Sequence, residues 1–309
     1  MQEILGIVLP VFVIVGLGYV ANWQRWLGDS NFDALMEFAT NFAVPCLLFI
    51  AISGLDLSTS LNPALLISFY TGAFTCFLLG VFGARWLFDR AWEDSISIGF
   101  CCLFSNTVML GLPIAERAFG AASLAPNFAI VSVHSLFCYT IGISAMEIAK
   151  ARGSSILGAV RTVSIGLSRN ILVLSILAAF VVNLSGLAVP SAIMDSASLI
   201  AKSALPVALF AIGGVLFRYK PEGDTKTVLY ICMVSLIVHP AISLLIGTSL
   251  NLSSENLKAV VIMSAMAPGI NSYLFANLYG RAMRVAASSV LFATGLTILT
   301  ASLWLAILG

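Results

Sequence analysis

Runs of about twenty apolar residues, separated by short polar stretches, recur along the whole chain. A helix needs about 20 apolar residues to cross the hydrocarbon core of a bilayer. Ten such runs lie near 4–22, 34–54, 63–88, 95–116, 124–148, 169–187, 196–217, 226–249, 257–279 and 285–308. The connections are too short for a separate soluble domain. The longest, 151–168, begins "ARGSSILGAV". Its arginines, serines and aliphatics predict an amphipathic helix lying on the membrane surface.

Two of the ten runs break their own pattern. The fourth reads "CCLFSNTVMLGLPIAERAFG" and the ninth "SAMAPGINSYLFANLYG". Each sets glycine, proline and asparagine into its middle. Proline removes a backbone donor, so Pro113 frees the carbonyl of Met109 and Pro268 frees that of Ser264. Irregular backbone at membrane depth is tolerated only against protein or a water-filled cavity. Freed carbonyls hold a cation, and half-helix N-termini present N–H groups to an anion. A proline kink braced by neighbouring helices explains one such run. Two in corresponding places favour a site. The substrate-binding candidates are therefore Asn106, Thr107, Gly111, Pro113, Pro268, Gly269, Asn271, Ser272 and Tyr273, with Ser105 a candidate for a coupling ion.

The chain also repeats itself. "AVPCLLF" at 43–49 matches "ALPVALF" at 204–210, and the "AFG" and "LYG" endings of the fourth and ninth runs lie at nearly the same offset. Two halves of five spans follow, 1–150 and 169–309, with 151–168 as linker. Five is odd, so the second half enters the membrane inverted, an arrangement typical of secondary transporters. The helix-break prolines Pro45 and Pro206 occupy matching places, each four residues after a polar residue, Asn41 or Lys202, which join the substrate-binding candidates. A lysine near a helix centre costs about 2.5–3.5 kcal/mol. Lys202 either attracts a carboxylate or snorkels to the interface. His239, just before Pro240, is a candidate proton carrier or a neutral buried histidine, and His134 has weaker context. Glu116 is a further candidate for a coupling ion or proton, with Ser105 and His239, and beside Arg117 it is either a gate or half of an interfacial pair.

Composition agrees with the pattern. The 309 residues are 60% hydrophobic and 9% charged, with a mean hydropathy of +1.04. Soluble domains carry about 25% charge, so the chain is an all-α polytopic membrane protein. A net charge of +1 points away from nucleic acid. The six cysteines fall in apolar segments without metal-ligand spacing and read as small hydrophobes. The N-terminal "MQEILGIVLP" reads as a retained first span. Twelve of the fifteen lysines and arginines fall on one side of a ten-span arrangement. By the positive-inside rule that side is cytoplasmic, and both termini are extracytoplasmic.

The sequence resembles the compact prokaryotic-type members of the auxin efflux carrier family. The resemblance rests on "NFAVPCLLF" (41–49), "FSNTVMLGLP" (104–113), "ALPVALFAIGG" (204–214) and "APGINSYLFANLYG" (267–280) and covers essentially the whole chain. It implies ten helices in two inverted five-helix repeats, similar to the sodium–bile acid symporters. Spans 1, 2, 6 and 7 would form a scaffold, spans 3–5 and 8–10 a transport domain, with broken helices 4 and 9 crossing at the substrate. It further implies a homodimer, and a malate- or malonate-like carboxylate as substrate. The expectation is an inner-membrane secondary carrier for a small organic anion, working by elevator-type alternating access. It would need no cofactor beyond a coupling ion, Na+ or H+. A channel, a sodium-coupled symporter and a ligand sensor of the same fold are the alternatives. An enzyme would want a buried metal set or acid pair that these residues do not form.

Overall fold

A computed structural model describes residues 2–55, 62–150, 170–219 and 224–309. The expected surface helix at 151–168 lies outside the described residues. Among the described residues fifteen α-helices follow one another: α1 (Gln2–Trp23), α2 (Asp29–Phe38), α3 (Val44–Ser53), α4 (Pro63–Leu87), α5 (Trp92–Leu103), α6 (Leu112–Phe119), α7 (Ala125–Lys150), α8 (Ile171–Ser185), α9 (Ser191–Ala201), α10 (Ala204–Phe217), α11 (Thr225–Met233), α12 (His239–Ser249), α13 (Ser254–Ser264), α14 (Ile270–Tyr279) and α15 (Met283–Leu308). Seven continuous helical stretches are long and apolar enough to cross a membrane: Ile4–Trp23, Asp29–Ser53, Pro63–Leu87, Ala125–Lys150, Ser191–Phe217, Thr225–Ser249 and Met283–Leu308. Helix α8 is apolar but shorter. The fourth and ninth apolar runs are each split into two short helices, α5 with α6 and α13 with α14.

Local chemistry sets the starts and bends. The side chain of Asn62 accepts from the N–H of Ala64 at 2.9 Å, with Pro63 in the first turn of α4. The Asn170 side chain caps α8 through the N–H groups of Leu172 and Val173. Pro45, Pro113 and Pro240 each stand two residues after a five-residue π-turn: Ala39–Ala43, Thr107–Gly111 and Val234–Val238. A π-turn pairs each N–H with the carbonyl five residues back. Widening the helix there relieves the clash between a proline ring and the carbonyl four residues earlier. The helix therefore continues through Pro113 instead of breaking there. The break in the fourth run lies at 104–106, whereas Pro268 does sit inside the break of the ninth.

Packing sorts the helices by their neighbours. Helix α1 lies along α10, and a Cβ added at Gly18 would run into the carbonyl of Phe210, as one at Gly213 would into that of Val15. Two backbones in such contact need glycine on both sides. Asn22 ties the same pair by donating to the Gly214 carbonyl at 2.8 Å. Asn183 on α8 donates to the carbonyls of Ile52, Ser53 and Leu55 at the end of α3, and Arg218 pairs with Asp33. Elsewhere Tyr70 donates to Ile130, Tyr230 to Leu79 and Trp304 to Leu236, while Arg90 pairs with Asp224 and Arg281 with Glu93. These bonds stay either within α1–α3 and α8–α10 or within α4–α7 and α11–α15. Asp224 also caps α11, and the Thr227 hydroxyl, with the Lys226 amide and Arg90, holds its carboxyl below the usual range.

Candidate substrate-binding site

The two breaks meet. Phe104 leaves α5 in an extended conformation, and residues 104–106 lie antiparallel to 267–269. The N–H of Asn106 donates to the Ala267 carbonyl at 2.8 Å, and the N–H of Gly269 donates to the Phe104 carbonyl at 2.9 Å. These exchanged bonds satisfy backbone groups that helix would otherwise have paired, at a point where Phe104, Asn106 and Ala267 are all buried. Helical backbone resumes at Thr107 and at Ile270, so two helix N-termini leave the same crossing.

Beside the crossing lies a cavity of about 360 Å³, within the usual range for a small-molecule site. Ser105, Asn106, Thr107, Gly269 and Asn271 line it, with Asn41 on the opposite wall. Its described lining carries no Asp, Glu, Lys or Arg. Asn106 uses its Oδ1 to cap the following turn, accepting from Met109 at 3.3 Å. Its Nδ2 is buried and has no hydrogen-bond partner among the described residues. Asn271 accepts at Oδ1 from the Tyr139 hydroxyl at 3.2 Å, which leaves its amide N–H groups as donors.

Two histidines brace the first break from behind. His134 Nε2 lies 3.1 Å from the Ser105 carbonyl, and His239 Nε2 lies 3.3 Å from that of Phe69. A carbonyl only accepts, so each Nε2 carries the proton. His239 Nδ1 then accepts from Ser105 Oγ at 3.4 Å. His134 and Ser105 line the cavity, and His239 is buried behind them.

The other sequence candidates lie elsewhere. Pro113, Glu116, Lys202 and Pro206 line a second cavity of about 620 Å³, between α1, α3, α6, α9 and α10. Lys202 caps the end of α9 at a kink, exposed, and does not join the asparagines at the crossing. The chain passes from Met109 at the first cavity to Pro113 at the second, so residues only a few positions apart line different cavities. Pro45 is buried in α3. Gly111 packs under Met263, where a Cβ would meet its sulfur at 2.6 Å. Successive residues of a helix point about 100° apart. Ser272 consequently faces the core while the Tyr273 ring meets that of Tyr219 at a tilt, centroids 4.9 Å apart. Glu116 and Arg117 form no ion pair with each other. Tyr139, Thr40 and Ser135 were not singled out from the sequence, because a lone polar residue on an apolar helix carries no local signal.

The chain matches the family described as membrane transport protein over residues 3–305. An uncharacterised transporter of Escherichia coli (strain K12), YfdV, is 25% identical over 97% of this chain and 96% of its own. A putative malonate transporter of Rhizobium meliloti (strain 1021) is 24% identical over 97% of this chain and 94% of its own. An uncharacterised transporter of Methanocaldococcus jannaschii, MJ1031, is 22% identical over 96% of each chain. With that match spanning nearly its whole length, the chain belongs to the membrane transport protein family, the family of the auxin efflux carriers.

Proposed function

We propose that this transporter is a secondary carrier for a small dicarboxylate of the malonate or malate class, bound at the crossing of its two broken helices. The observation that carries the reading is the buried, unpartnered Nδ2 of Asn106 beside two converging helix N-termini. The first turn of a helix leaves N–H groups without intrahelical partners, and its dipole favours negative charge. Asn106 and Asn271 then add amide donors. A site of donors without a full cation suits an anion that must also leave, since binding is spread over several neutral groups. The putative malonate transporter among the relatives is in keeping with this substrate class.

Ten crossings in two inverted halves would come from the seven continuous spans, α8 and the two broken pairs. On this reading α1–α3 and α8–α10 are the scaffold, and α4–α7 with α11–α15 carry the crossing through the membrane in elevator fashion. Apart from Arg117, the described side-chain hydrogen bonds between helices segregate into these two groups, which supports it, because a sliding boundary favours apolar contact. The basic side is cytoplasmic, both termini are outside, and the scaffold pairs as a homodimer in the inner membrane. Ser105 and His239 offer a route for a coupling proton from the cavity, whereas carbonyls near the crossing would suit Na+.

Uptake of labelled malonate, malate and monocarboxylates into proteoliposomes, with and without imposed Na+ and H+ gradients, tests the proposal. Saturable dicarboxylate uptake that competes across the panel is expected. Absence of uptake for every carboxylate would overturn it.

A further inference from the structure

Arg117 makes an unusual contact for a residue at a helix end. Its Nε donates to the carbonyl of Ile7 at 2.9 Å, and its Nη2 to the carbonyl of Gly6 at 3.1 Å. Gly6 lies four residues before Pro10, which is inside α1. Proline has no N–H, so the Gly6 carbonyl has lost the partner that a helix would normally supply. A guanidinium presents several donors in a fixed fork and matches two neighbouring carbonyls. Arg117 therefore completes a helix that another part of the chain has left incomplete.

Position gives the contact its meaning. Arg117 belongs to α6, which is bonded through the crossing to α14, whereas Gly6 and Ile7 belong to α1. The many side-chain bonds described above remain on one side or the other of the boundary between the two groups of helices. Arg117 passes across it, accompanied by the ring contact of Tyr219 with Tyr273. It also lines the second cavity, together with Pro10 and Glu116.

We infer that Arg117 is a latch: a positioning residue that holds the moving helices against the fixed ones in this conformation by capping the carbonyl orphaned at Pro10. The inference rests on the two-group reading of transport. Sliding α6 along α1 breaks both bonds and returns the Gly6 carbonyl to its unpaired state, so the latch favours the conformation whose crossing cavity is formed. Glu116 and Lys202 in the second cavity, and Glu255 and Lys258 beside the end of α6, are the charged groups there among the described residues, and none is ion-paired with Arg117.

The test reads the conformation itself. Spin labels at Leu9→Cys on α1 and Ala121→Cys just beyond α6, in a Cys46→Ala background, report the separation of the two groups without any substrate. One dominant distance is expected in the parent, and a second population in Arg117→Gln. Arg117→Lys should restore part of the parent distribution. Pro10→Ala returns an N–H to Gly6, so Arg117→Gln should have less additional effect in that background than alone. Uptake at saturating and limiting substrate completes the readout. A shifted equilibrium changes apparent affinity by the fraction of competent protein, about two- to tenfold for a modest shift. An unchanged distance distribution in a well-expressed Arg117→Gln protein overturns the latch, as does an equal effect in the Pro10→Ala background. The distance measurement stands apart from carboxylate uptake, so failure of the substrate proposal leaves its own distinct signature.

Discussion

The N–H of Asn106 donates to the carbonyl of Ala267 at 2.8 Å, joining two helices that are each interrupted where they meet. The bond makes one crossing out of two breaks 161 residues apart in the chain. Its companion, from Gly269 to Phe104, offers a clean perturbation. Gly269 has φ −72° and ψ 163°, a conformation that proline also adopts. Gly269→Pro therefore keeps this φ, but it removes the donor and sets its ring Cδ against the Phe104 carbonyl, which must move away. It leaves the buried Phe104 carbonyl unpaired, at a cost of about 1–3 kcal/mol. Gly269→Ala keeps the bond and asks the Phe104 ring to move a few tenths of an ångström from a contact of 3.3 Å. Thermal unfolding in detergent should fall clearly for proline and little for alanine, and substrate binding should follow the same order. Equal behaviour of the two variants would mean the exchanged bonds do not hold the site.

Asn106 separates capping from binding. Asn106→Asp retains the oxygen that accepts from Met109 but exchanges the free donor for a negative charge. Folding should survive and anion binding should be lost. Asn106→Ala removes both atoms. Loss of a hydrogen bond to a charged ligand costs about 1.5–3 kcal/mol, or about 10- to 150-fold in affinity. Titration of purified protein with malonate checks the order, parent above alanine above aspartate. An aspartate variant that binds as well as the parent would remove Asn106 from the anion site.

Sequence alone carried the membrane character, the two interrupted runs and the polar residues beside them, because a glycine or proline in an apolar run is a local violation that needs no partner to be visible. Asn106, Asn271 and Gly269 were legible for that reason. The position of the first break was not. Pro113 pointed to it, yet a π-turn absorbs that proline, and the extended residues 104–106 are instead held by bonds to 267–269, a distant segment. That Lys202 and Asn106 line different cavities was not legible either. Matching positions in two halves indicate similar places in each half, yet Asn41 lines one cavity and Lys202 the other. His134 and Tyr139 reach the crossing from α7 across the core, a relationship that no spacing along the chain encodes.

Asp224 gives a pH-dependent prediction outside the apolar spans. The Thr227 hydroxyl, the Lys226 amide and Arg90 favour its charged form and lower its folded value. Such a group adds stability that is fully present above its ordinary value of 3.8 and is lost as the pH falls through the lowered one. Asp224→Ala should reduce the unfolding temperature at neutral pH more than Asp224→Asn, which retains a capping oxygen. The gap between parent and alanine variant should narrow as the medium is acidified below the carboxylate range. Melting curves recorded from pH 7 downward test this, and a gap that widens on acidification would contradict it.

Lys202 supplies the last prediction, now attached to the larger cavity. It is exposed and opposite Glu116 across a space of about 620 Å³, with no ion pair between them. A substrate entering by that cavity would meet the ammonium before it reached the asparagines. An exposed charge pair is worth up to about 1 kcal/mol, or about fivefold in affinity. Lys202→Gln should weaken capture by no more than that, and only for substrate presented on the side where this cavity opens. Lys202→Arg should retain part of the effect, since charge survives while geometry changes. The loss should be larger for a dicarboxylate than for a monocarboxylate, because the attraction scales with ligand charge. Competition by both acids, measured from each face of oriented proteoliposomes, distinguishes these outcomes from misfolding, which lowers capacity without changing charge preference or sidedness. An equal loss from both faces would place Lys202 in contact with the crossing after all, and no loss from either would leave it a snorkelling lysine.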